Sequence, residues 1–135
     1  MTKILFCADV LLDLLKDEDS SNEVRKLLYE CQKGVYKAYM TNLELYILVK
    51  QTSGSIMYRT VSILKDFIDL IDVNCVALTK AGKEGDFEDG LYRILYKKYG
   101  INFVASKRKN KSIDSTIRVM DPKDLRKILE NGETD

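Results

Sequence analysis

Short apolar runs alternate with helix-period segments along the whole chain, and this alternation restricts the fold more than any other feature. Lys3–Cys7 reads as a buried strand, and Asp9 then caps a brief helix, Val10-Leu11-Leu12-Asp13-Leu14-Leu15. Asp17-Glu18-Asp19 reads as a solvated loop, with Ser20 and Ser21 capping a second helix striped by Val24, Leu27, Leu28 and Cys31. A strand over Val35–Met40 leads to a helix capped by Thr41 or Asn42, with Glu44 in its first turn and a break at Thr52-Ser53-Gly54-Ser55. A long helix carries Ile56, Val61, Leu64, Ile68 and Ile71 on one side, followed by a third strand, Val73–Val76, and a short helix, Ala77–Ala81. Beyond Gly100 come a strand over Ile101–Ala105, a polar loop over Ser106–Asp114, a strand over Thr116–Met120 and a last helix opened by Asp121-Pro122. An N-cap followed by proline is the expected order at a helix start. Strands separated by helices predict a parallel sheet covered on both faces. The expectation is a single domain, 1–135, built as a three-layer α/β/α sandwich around a mostly parallel sheet of four to five strands.

Charge and residue usage exclude several function classes. A net charge of +1 gives no global basic field, so any nucleic-acid contact has to come from a local patch. No apolar run is long enough to span a bilayer, and no signal peptide is visible, so no membrane association is expected. Three widely spaced cysteines and no histidine argue against a zinc site, a disulfide framework and Ser-His or Cys-His nucleophiles. Reduced thiols fit a cytoplasmic protein. Chemistry, if there is any, falls to carboxylates and a metal.

The carboxylates of interest surround Gly85-Asp86-Phe87-Glu88-Asp89-Gly90, which opens a patterned helix ending at Tyr99 before Gly100. Phe87, Leu91, Ile94, Leu95 and Tyr99 follow helical spacing, while Asp86 and Asp89, three apart, share another face. One reading is a capped helix with acids at the positive end of its dipole. The other is a metal site, because hard divalent ions need clustered carboxylate oxygens. Asp9, Glu44 and the Asp86/Asp89 pair each follow a strand or open a helix. In a parallel sheet such positions converge at the carboxyl ends of the strands.

Four segments resemble the PIN domain family, which includes the VapC-type toxins. Ile4–Leu15 is similar to that family's opening strand and its Asp-x-Asn-Val-Leu-Leu-Asp pattern. Thr41-Asn42-Leu43-Glu44-Leu45 looks like the segment with the family's glutamate, and Gly85–Gly90 matches its Asp-Phe-Glu-Asp-Ala motif. Val104–Pro122 falls where the family has a strand, a Thr-Arg-Asn-like turn and a closing strand. The resemblance implies a PIN-like fold and a toxin-antitoxin-type ribonuclease in which acids bind Mg²⁺ or Mn²⁺ and a metal-activated water attacks a phosphodiester. It also implies RNA as substrate and a cognate antitoxin protein as partner. A homodimer is a further expectation.

The motif departs from that family at two of four acids. Its first aspartate falls on Cys7, its asparagine on Asp9 and its fourth acid on Lys111; Glu44 and Asp89 match outright. On this reading Asp9, Glu44 and Asp89 are the metal ligands, Asp9 compensating for Cys7, and Asp86 completes the catalytic set as an outer acid or as a ligand of a second metal. Each unit of charge lost at about 5 Å weakens cation binding by roughly 3 kcal/mol at an effective dielectric near 20. Cys7 reads most simply as a small buried apolar residue, and Asp13 as solvated or paired. Lys107, Arg108, Lys109 and Lys111 read either as a solvated loop or as an RNA-binding arm. Tyr92, Tyr96 and Tyr99 read as a partly buried helix face. The alternative function is a catalytically inactive PIN-like module that binds RNA or a protein.

Overall fold

The structure, a computed structural model, describes residues 1–16, 21–52, 58–59, 62, 64–83, 85–108 and 110–132. Six strands, β1 (Lys3–Phe6), β2 (Lys37–Thr41), β3 (Ile68–Ile71), β4 (Phe103–Ala105), β5 (Lys111–Ile113) and β6 (Ile117–Met120), form one sheet ordered β3-β2-β1-β4-β6-β5. All pairings are parallel except β5 with β6. The helices with both ends among the described residues are α1 (Ala8–Lys16), α2 (Ser21–Gln32), α3 (Asn42–Gln51), α4 (Cys75–Gly82), α5 (Phe87–Tyr99) and α6 (Pro122–Glu130), and Tyr58, Arg59, Ser62 and Leu64 are helical as well.

Successive strand residues point to opposite faces, and β1 builds a core on each side. Ile4 and Phe6 pack with Ala38, Met40 and Phe103 under apolar residues of α1, α2, α3 and α6. Leu5 and Cys7 pack with Tyr39, Val104 and Val119 under α4 and α5, through Ala81, Leu91, Tyr92 and Leu95. Gly90 permits the close approach of α4 and α5, since a Cβ there would lie 2.6 Å from the Ala81 carbonyl oxygen.

Local sequence accounts for most helix ends. Thr41, Asn74, Asp86 and Asp121 each accept the backbone N–H three residues on, and Pro122 follows the last cap. Gly100 takes the left-handed conformation, φ 76°, that closes α5 at low cost.

Four expectations are corrected. The sheet has six strands, not four or five. The third strand is Ile68–Ile71, where Val73–Val76 was expected. Asn74 caps α4, so Cys75 and Val76 are already helical. Ile68 and Ile71 imitate a helical repeat because β3 pairs only with β2 and buries just its two end residues. Part of the polar loop after β4 is strand β5, and α1 begins at Ala8, placing Asp9 inside its first turn. Expectations for Asp17–Ser20, Ser53–Ser55, Ile56, Val61 and Lys109 lie outside the described residues.

Candidate functional site at the strand ends

Strand order reverses between β1 and β4: the chain runs from β1 outward through β2 to β3, then returns to the other side of β1. The crevice beyond the carboxyl ends of such a strand pair is where open parallel sheets place their sites. Here Cys7 N–H donates to the Ala105 carbonyl at 3.1 Å, closing the two strand ends together. Cys7 and Ser106 are the first residues past those ends, and both are buried.

Asp9 turns into the crevice but is fully engaged. Its Oδ2 accepts from Ser106 Oγ at 2.9 Å and Lys107 N–H at 3.0 Å, and its Oδ1 accepts from Val10 N–H at 2.7 Å. Glu44 lies at the third position after the Thr41 cap, the spacing of a capping box. Its carboxylate does not close back on its own helix. Instead Oε1 accepts from Ala8 N–H at 3.0 Å, at the start of α1. Asp86 is exposed and caps α5, accepting from Asp89 N–H at 3.0 Å. Asp89 Oδ1 accepts from Lys111 Nζ at 2.6 Å.

Cys7 and Tyr92 lie where the charges of Asp9 and Glu44 are felt, while Asp86 and Asp89 stand at the start of α5. The Cys7 thiol is pushed up to about 12, first by burial and then by the charges of Glu44 and Asp9, so it stays protonated near neutrality. Tyr92, 5% exposed, is raised by burial first and then by Cys7, Glu44 and Asp9. Both groups are therefore neutral polar atoms facing an acidic rim.

The Arg108 guanidinium lies against both groups. Nη2 donates to Tyr92 Oη at 2.8 Å and lies 3.6 Å from Cys7 Sγ. Nε donates to Ser106 Oγ at 3.0 Å, and Nη1 pairs with the Glu88 carboxylate. Since a guanidinium has no acceptor, Tyr92 Oη accepts from Arg108 and can direct its own proton at Cys7 Sγ, 3.7 Å away. Lys107 Nζ spans both oxygens of the buried Asp13 at 2.8 and 2.9 Å. Asn110 fixes the segment's far end, donating to Asp124 Oδ2 at 2.7 Å and accepting from Asp121 N–H at 3.1 Å.

The described cations of the basic run therefore all face carboxylates of this rim: Lys107 meets Asp13, Arg108 meets Glu88 and Lys111 meets Asp89. Asp13 is paired, as one expectation had it, and not solvated. Cys7 is the small buried residue anticipated. Tyr92 is buried whereas Tyr96 is exposed. Sequence reasoning missed Ser106, Tyr92 and Glu88 as members of the cluster. Only Ser106 carried a signal, being the first polar residue after a strand.

The donor set fits a divalent ion poorly. Among the described residues no three cysteine, aspartate or glutamate side chains group so as to hold one. The residue at the strand end is a neutral soft thiol, and Asp89 already holds an ammonium. No described helix is long and apolar enough to cross a membrane. Searches against protein-family models and against curated proteins give no match to this chain.

Proposed function

We propose that this chain is a PIN-like module that works by binding, its nuclease-type centre being neutralised from within. The observation that supports this reading is the Arg108 guanidinium standing between Cys7, Tyr92 and Glu88 at the strand ends. A positive group held there opposes the entry of a second cation. The same pairing bears on the partner. Six acids at the rim (Asp9, Asp13, Glu44, Asp86, Glu88 and Asp89) face three described cations, a local balance of −3. That balance repels a phosphate backbone, so a protein partner is favoured over RNA.

The test combines a pool of mixed single-stranded RNA, Mn²⁺ and calorimetry. The expected result is no Mn²⁺-dependent cleavage, no Mn²⁺ binding and no salt-dependent retention of RNA. Cleavage that a chelator abolishes and that Asp89→Asn loses would overturn the reading. It would establish instead the toxin-type ribonuclease using Mg²⁺ or Mn²⁺, for which a cognate antitoxin is the natural partner. The observation on that side is that Glu44 reaches the Ala8 N–H, between Cys7 and Asp9 in the chain, which brings one acid of the motif next to Asp9.

A further inference from the structure

Three segments meet at one guanidinium. The end of β1 reaches it through Cys7, α5 through Tyr92 and Glu88, and the β4 end through Ser106. One step away, Lys111 of β5 brings a second positive charge to Asp89, on the same first turn of α5 as Glu88. Of the three described cations at this rim, Lys107 pairs with Asp13 of α1, and the two that meet α5 carry the same total charge as one divalent ion. Resting on the binding-module reading above, we propose that Arg108 and Lys111 are the resident cations of this centre. They replace a divalent ion as the counter-charge that joins the strand ends, α5 and the segment between β4 and β5.

The two residues divide that role by chemistry. A planar guanidinium presents several fixed N–H donors, so Arg108 satisfies a hydroxyl, a phenol and a carboxylate together and approaches a thiol. Lysine is a compact point charge and meets a single carboxylate. Neither cation can be removed by a chelator, so the centre is held whatever the metal supply.

The experiment follows thermal unfolding of the full chain with EDTA and with Mn²⁺. Wild type is expected to show the same midpoint in both. Arg108→Gln/Lys111→Gln removes both charges and keeps polar side chains. Its midpoint should rise with Mn²⁺, and its Mn²⁺ affinity should exceed wild type by about tenfold or more. Arg108→Lys keeps the charge and loses the fork, so it should lose stability yet stay indifferent to Mn²⁺. That result separates a counter-charge role from simple packing. If the double variant does not fold, Lys111→Gln alone gives the reading, as its pair is exposed. A folded variant blind to Mn²⁺, with wild type inactive on RNA, overturns this inference alone. A wild type that responds to Mn²⁺ as strongly as the variant also overturns it. Mn²⁺-dependent cleavage by wild type overturns the binding-module reading as well.

Discussion

Two arginines hold this molecule together in different ways. Arg126 on α6 donates to Glu23 of α2 at 2.6 Å and to Glu130, one turn along its own helix, at 2.5 Å. Its partners are both carboxylates on helix surfaces, and its hydrogen bond draws the Glu23 carboxyl below its usual range. Its Nε is buried without a partner among the described residues. Among the described residues Arg108 has one carboxylate partner and otherwise serves a hydroxyl, a phenol and a thiol, two of them on fully buried residues. Arg126 acts mainly as charge between two surfaces. Arg108 acts mainly by donating to buried hydroxyl oxygens, and a buried oxygen that loses a donor is costly.

The largest difference should appear on truncation. Arg108→Ala takes the N–H donor from Tyr92 Oη and one of two from Ser106 Oγ, which keeps the backbone N–H of residue 108, and should cost about 2–3 kcal/mol, whereas Arg126→Ala should cost about 1–2 kcal/mol. Urea unfolding of the two variants checks the order. Equal costs, or the reverse, would break the comparison.

Acid should separate them next. Glu23 has a depressed folded value, caused first by its hydrogen bond from Arg126. Its stabilisation is therefore fully present above the unfolded carboxyl value and is lost as pH falls through the folded one. The stability gap between wild type and Arg126→Ala should shrink in that acid window. The Cys7 thiol moves the other way. Its folded value is raised to about 12, so its contribution is intact below the unfolded value and is lost as pH rises toward about 12. Alkylation at about pH 8 should modify the exposed Cys75 quickly and leave Cys7 and Cys31 protected.

The division between what was legible and what was not follows from the range of the interactions. Asp86, Asp121-Pro122, Thr41 and Gly100 were readable because a cap acts within three or four residues of itself. The covered parallel sheet was readable from alternating segments. The β3 edge was not, since two isoleucines three apart fit a helix as well as an edge strand that buries its ends. At the rim, carboxyl-end placement was readable to the extent that Glu44 meets the start of α1 and Asp9 meets the residue after β4. What each charge meets there was hidden. A basic run looks the same in sequence whether it is solvated or turned inward. The partners of Lys107, Arg108 and Lys111 come from α1 and α5, and Asp13 precedes Lys107 by 94 residues.

The smallest expected effect isolates charge from burial within the rim itself. The Lys111–Asp89 pair is short, at 2.6 Å, but its side chains are 46% and 24% exposed. Water screens such a pair, and ordering a long lysine chain offsets much of its attraction. Lys111→Ala should therefore cost less than about 1 kcal/mol, and in about 1 M salt the cost should vanish because the screening length falls to about 3 Å. The cost of Arg108→Ala should persist in the same salt, since unsatisfied buried hydroxyls are not screened by ions. Urea midpoints at low and high salt give both numbers. A salt-insensitive loss for Lys111→Ala would mean that the ammonium, too, is held by more than its charge.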